Sequence, residues 1–240
     1  MAPRGAGRLD PAVTAATGKV LVVTGSTGAG KTTTCTLLVD RLEGLWLHFG
    51  IDFMLGKVMP RKFIDGGRCS QQGVHGAPDD PGNPDGPWHL DMGVHGMPVI
   101  RSFHRMAAAA VRSGQNLVID HIATVDPPIL QDCVEVFAGL PVFFVALKPP
   151  PEVSTRRLDE RLETIVATLG REHAVRNSEA KKRVAASLYE RIFAHDVFDL
   201  VIDTERHGPD EVTSLIMAKM GACEGTAFPR LRREFGAARA

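Results

Sequence analysis

Gly25-Ser26-Thr27-Gly28-Ala29-Gly30-Lys31-Thr32 brings together the residue types of a phosphate cradle at the spacing such a cradle needs, G-x-x-x-x-G-K-T. Gly25, Gly28 and Gly30 let the chain turn tightly enough for successive backbone N–H groups to point inward. A helix opening near Lys31 adds its positive dipole end. The predicted chemistry is the binding of a nucleoside triphosphate. Ser26, Thr27 and Ala29 contribute loop amides, Lys31 is a point charge for the β- and γ-phosphate oxygens, the Thr32 hydroxyl holds Mg²⁺, and Thr33 supports it from the next position.

A triphosphate site can serve a switch, a motor or a kinase, and the remaining polar residues discriminate. A switch GTPase needs a DxxG after its third strand and an NKxD-type base reader, and neither stands in the right place. The chain instead has an Asp closing each of two apolar runs and an Arg-rich segment further on, the layout of a small-molecule kinase.

Asp52 ends Trp46-Leu47-His48-Phe49-Gly50-Ile51 and would face the γ-phosphate, accepting a proton from a substrate hydroxyl or orienting it. Its plain alternative is a turn or helix-capping role. Asp120 ends Asn116-Leu117-Val118-Ile119 and is expected in the Mg²⁺ shell. His121 and Arg101 are candidate substrate contacts, although a single His is as readily structural. In Arg156-Arg157-Leu158-Asp159-Glu160-Arg161, Arg157 and Arg161 share a helix face at i, i+4 and are read as catalytic cations over the transferring phosphoryl group, with Lys31 and Asp52 completing the catalytic set. Arg171 and Arg176 extend the same lid. Solvated ion pairs are the competing reading for any one of these arginines.

Positioning such residues takes strands whose carboxyl ends meet. Continuous apolar runs at Val20–Thr24, Leu45–Ile51, Asn116–Asp120, Val142–Leu147 and Phe198–Asp203 predict five strands covered on both faces. Helical patterns lie between them at Lys31–Leu42, Val99–Ser113, Pro128–Phe137, Glu152–Thr164, Glu179–Ala194 and Asp210–Met220. The expected fold is α/β, a five-stranded parallel sheet flanked by helices, with a flexible segment over 1–17, one domain over 18–222 and a tail over 223–240. Within the domain, 152–178 is the lid. Residues 64–98, rich in Gly, Pro, Asp and His, break the rhythm as an insertion read as a cap over the acceptor. Cys69, His75, His89, His95 and His104 fall in or near it at spacings that fit no standard metal pattern.

Composition removes several classes. Lys plus Arg and Asp plus Glu number 28 each, so the basic excess of a nucleic-acid or membrane-surface binder is missing. Cys35, Cys69, Cys133 and Cys223 form no CxxC pair, which points to a reducing, cytoplasmic setting. No apolar run approaches the ~20 residues of a membrane span. The expected partner is a small molecule, with no nucleic acid and no membrane, and with the oligomeric state left open.

The run Trp46-Leu47-His48-Phe49-Gly50-Ile51-Asp52 resembles the second-strand signature of the chloramphenicol phosphotransferase family. Ala107-Ala108-Ala109-Ala110-Val111-Arg112-Ser113-Gly114-Gln115-Asn116 leading to Asp120, Leu188-Tyr189-Glu190, and Phe198–Thr204 resemble its later segments, so the likeness spans roughly Lys19 to Met220. The resemblance implies a P-loop kinase fold, ATP or GTP with Mg²⁺ as donor system, Asp52 as base, and a small antibiotic hydroxyl as acceptor, its phosphorylation conferring resistance. In this fold the nucleotide base is met by loops near Asp203-Thr204 and by the lid. Two departures bear on substrate: the insertion is longer, and His121 stands where the family has a second acidic residue. They direct the expectation towards a chloramphenicol-like or a larger nucleoside-type antibiotic. Two alternatives are a zeta-toxin-like nucleotide-sugar kinase and a regulator that binds nucleotide without catalysis.

Overall fold

The structure, a computed structural model, describes residues 16–169 and 171–237. The expected loose segment falls almost wholly on residues 1–15, outside those described.

Five strands make one parallel sheet: β1 (Val20–Thr24), β2 (Trp46–Gly50), β5 (Asn116–His121), β6 (Val142–Leu147) and β7 (Leu200–Ile202), in the spatial order β2-β5-β1-β6-β7. The order reverses at β1, so the carboxyl end of β1 is the switch point where open α/β sheets bind ligands. The strand runs read as unbroken apolar sequence because each face has its own core. Val20 and Val22 pack with Phe103, Ala107 and Phe144 under α3 (Gly93–Arg112), α4 (Ile129–Val136) and α8 (Ala227–Ala237). Leu21 and Val23 pack with Cys35, Leu38 and Ile216 under α1 (Lys31–Arg41) and α7 (Pro209–Ala222).

The insertion is ordered. It contains an antiparallel hairpin, β3 (His75–Pro78) with β4 (Trp88–Asp91), preceded by short helical turns that follow α2 (Ile51–Phe53). Two long helices, α5 (Pro151–Leu169) and α6 (Arg171–Ile192), span the stretch expected as a lid and pack on each other. The hairpin docks on α6: Trp88 and Leu90 pack on Val184, Leu188 and Ile192, and Arg183 lies over the Trp88 ring while pairing with Asp85.

Several boundaries differ from expectation, among them α6, which opens at Arg171 rather than Glu179, and α5, which runs on to Leu169 rather than ending at Thr164. Helix α3 starts at Gly93 rather than Val99, and in the turn leading into it the Asp91 carboxylate accepts from the Gly93 N–H at 2.7 Å. Pro98, read as the end of the insertion, sits inside the helix. The stretch offered as a tail carries α8, with Phe228 and Leu231 buried. Its first turn is held by Asp199, which accepts from the N–H groups of Thr226 and Ala227. No helix among the described residues is long and apolar enough to cross a membrane.

Candidate active site

The loop between β1 and α1 has the backbone its glycines predicted. Gly28 and Gly30 take φ of 86° and 91°, which L side chains rarely adopt. At Gly28 space is equally decisive, since a Cβ there would lie 2.5 Å from the Ser154 carbonyl oxygen. Helix α5 therefore presses directly on the loop, and Ser26 and Ser154 share a hydrogen bond of 3.1 Å. Lys31 is 8 % exposed and folds over the loop, its Nζ donating to the carbonyls of Gly25 (2.9 Å) and Ser26 (3.1 Å).

Strand β5 lies beside β1 and delivers Asp120 to the start of α1. Thr32 Oγ1 donates to Asp120 Oδ2 at 2.7 Å, while Asp120 Oδ1 is buried with no hydrogen-bond partner. Burial pushes the Asp120 carboxyl above the usual carboxylate range, the Lys31 charge and the Thr32 hydroxyl pull it back, and the nearby Asp52 charge raises it again. A hydroxyl beside a carboxylate with one unsatisfied oxygen is a donor set for a hard cation, so these residues fit Mg²⁺. His48, one pleat before Gly50 on β2, completes the surroundings: its ring, Cys35 and Asp120 offer ligand atoms within 4.8 Å of one another. Sequence reading missed His48, although strand alternation puts it on the face of Gly50, which pairs with Asp120.

Asp52 projects from the first turn after β2 and is exposed. It lines a cleft of about 350 Å³ with Lys31, Thr32, Thr33, Arg157 and Arg161, and with the apolar side chains of Leu55, Leu90, Ile122 and Leu188. The cleft thus gathers the cradle, the proposed base and both lid arginines. Arg157 is tethered, donating to Thr204 Oγ1 (3.0 Å) and the Thr204 carbonyl (2.7 Å), while Thr204 Oγ1 donates to the Ala29 carbonyl. This ties α5, the cradle and the end of β7 together around a second cleft of about 340 Å³ that includes Thr34 and Gly208. A larger cavity of about 540 Å³ opens near Lys19, Phe137 and Phe228. It touches no cradle residue.

Two candidate substrate contacts stand elsewhere. His121 is wholly buried, because alternation along β5 turns it away from Asp120 and into the core, where its Nε2 lies 2.8 Å from His104 Nε2. Arg101 is on the outer side of α3, paired with Asp132 at 3.5 Å. The His and Cys residues of the insertion do not converge: His89 pairs with Asp79, His95 meets the Phe63 ring, and His104 leaves for the core. The side chains of Arg171 and Arg176 lie outside the described ones. Leu55, Leu90, Ile122 and Leu188 carried no signal, since an apolar residue lining a cleft reads like one filling a core.

A family model described as chloramphenicol phosphotransferase-like protein matches residues 18–221. A Mycobacterium tuberculosis protein named "Putative O-phosphotransferase" is 24% identical over 229 residues, covering 91% of this chain and 89% of its own. Among solved structures, the Mycobacterium tuberculosis APS kinase in complex with AMPPNP and APS superposes with a TM-score of 0.53 at 15% identity, over 85% of this chain and 98% of that one. The match shows a shared P-loop kinase fold. The tunicamycin resistance protein of Deinococcus radiodurans aligns more distantly, at TM-score 0.46 and 16% identity over 87% and 99% of the two chains.

Proposed function

Since the chain belongs to the chloramphenicol phosphotransferase-like family and is a small-molecule O-phosphotransferase, we propose that it moves the γ-phosphate of ATP or GTP to a hydroxyl of a neutral, partly apolar antibiotic-like molecule and so confers resistance. The observation that carries this reading is the single cleft lined together by Asp52, the cradle, Arg157, Arg161 and the apolar side chains of Leu55, Leu90, Ile122 and Leu188.

In this reading the loop amides from Gly25 to Thr33 and the dipole of α1 hold the triphosphate, and Lys31 leaves its two carbonyls for the β- and γ-phosphate oxygens. The adenine or guanine ring enters the second cleft beside Arg157 and Thr204. Thr32 and Asp120 would hold Mg²⁺, which when bound neutralises charge on the phosphate oxygens. Asp52 accepts the proton of the acceptor hydroxyl as its oxygen attacks phosphorus. Arg161 and the tethered Arg157 stabilise negative charge spreading over the equatorial oxygens. The apolar wall orients the acceptor and excludes water, which would otherwise take the phosphoryl group.

The ordered insertion supports a cap over an acceptor rather than a regulator with no acceptor. The apolar wall also favours a neutral alcohol over the diphosphate of a nucleotide sugar, which needs cations where the leucines stand.

The test is a screen of hydroxylated antibiotics with ATP and with GTP, read by mass for phosphate addition and followed by Asp52→Asn. Losing the general base is expected to lower kcat by roughly 10²–10⁴-fold with nucleotide affinity kept. Full turnover by Asp52→Asn would remove Asp52 from this role, and phosphorylation of nucleotide sugars alone would replace the acceptor class.

A further inference from the structure

Behind the sheet, away from the cleft, three elements send potential metal ligands to one point. His104 comes from α3, His121 from the end of β5 and Cys133 from α4, all completely buried, with ligand atoms within 4.8 Å of one another. Phosphoryl transfer as described above uses none of them. We propose that His104, His121 and Cys133 form a buried binding site for a borderline-soft divalent cation, Zn²⁺ by its donor set, joining α3, β5 and α4.

Asp132 supplies the first argument. Its Oδ2 lies 2.6 Å from His104 Nδ1, which fixes the proton on Nδ1 and leaves the Nε2 lone pair pointing inward. A carboxylate behind a histidine in this way is the usual outer partner of a metal-bound imidazole. Proton accounting supplies the second. With Nδ1–H of His104 committed to Asp132, its Nε2 must accept from His121 Nε2–H, 2.8 Å away. His121 Nδ1 makes no close hydrogen bond, but the Ile122 backbone interacts with the ring in the sense that favours a ring proton; with that proton on Nδ1, the Nε2 lone pairs of both histidines face the same point. The third argument is electrostatic. Neutral imidazoles are the ligating form. A dication joined by the Cys133 thiolate and the neighbouring Asp132 carboxylate is charge-balanced within the core.

On binding, the Cys133 S–H bond breaks, one proton leaves to solvent and the S–metal bond forms. His121 shifts its proton from Nε2 to Nδ1, and the two ring nitrogens open to about 3.3 Å, the separation that tetrahedral Zn–N bonds require. A water completes the coordination. Two imidazoles and a thiolate select zinc over Mg²⁺ or Ca²⁺, whereas the Thr32–Asp120 pair, all oxygen, selects the reverse.

The probes are Zn²⁺ and Co²⁺ added to the tag-free, metal-stripped full-length chain, with bound metal measured by plasma mass spectrometry after desalting. The expected result is about one zinc per chain and, with Co²⁺, a thiolate-to-cobalt charge-transfer band. Cys133→Ser should abolish the band. Asp132→Asn should weaken zinc affinity about 10–100-fold. Cys35→Ser, which removes the thiol of the cluster near Asp120, should leave the band intact. Wild-type protein that is folded by circular dichroism and shows neither zinc nor the band overturns the proposal without recourse to any variant. A band that survives Cys133→Ser, or is lost with Cys35→Ser, also overturns it.

Discussion

The two halves of the cleft are built in opposite ways. The donor half is nearly contiguous in sequence, from Gly25 to Thr33, and its shape follows from local backbone: positive φ at Gly28 and Gly30, an incoming strand, an outgoing helix. The proposed acceptor half draws Leu55, Leu90, Ile122 and Leu188 from four separate stretches, Leu90 and Leu188 brought together by the docking of β4 on α6 and Leu55 and Ile122 by the main core. A local cradle binds what every member of a broad fold binds. A wall assembled from distant side chains can be remade by substituting any contributor, so specificity is expected there.

Substitutions on each side should separate these properties. The largest effect is expected from Lys31→Met, which removes the cation facing the transferring phosphate: kcat should fall by about 10²–10³-fold for every acceptor and donor alike. Steady-state kinetics with two acceptors checks this, and a loss confined to one acceptor would break the division between halves. Leu90→Ala should raise the acceptor KM about tenfold and leave the nucleotide KM unchanged, as expected for deleting part of an apolar pocket. An equal rise in both would show that the hairpin serves the donor too.

The smallest effect concerns stability. Asp120 has a folded-state pKa raised by burial above its unfolded value. The folded protein therefore holds its proton more tightly, and stability falls as pH rises through the window between the two values. Above that window the full penalty is present. Asp120→Asn should remove it, raising the melting temperature of the nucleotide-free protein by about 2–4 °C per kcal/mol recovered, while turnover drops. Thermal scans at pH 7 without Mg²⁺ or nucleotide test the sign, and a lower melting temperature would mean that Lys31 and Thr32 already compensate the buried charge.

Much of the frame was legible because it rests on local rules. Val20–Thr24 and Val142–Leu147 have the predicted bounds, since a strand covered on both faces is apolar throughout. The start of α3 was not legible: Pro98 reads as a breaker, and the Asp91 contact in the turn leading into Gly93 depends on where the hairpin returns. His121 shows the same limit at the site. Its type and its position beside Asp120 suggested a substrate contact, but the pleat turns alternate residues to opposite faces, and what covers the far face is not written next to it in the chain.

What the sequence alone determined is the glycine-rich loop between β1 and α1, the apolar strands that lead to Asp52 and Asp120, and the helix face shared by Arg157 and Arg161. Each follows from backbone conformation or periodicity within a few residues. Only tertiary structure decided that Arg157 is tied to Thr204, that apolar side chains line the cleft, and that His104, His121 and Cys133 meet behind the sheet. Those contacts join positions far apart in the chain, and packing of the whole core sets their distances.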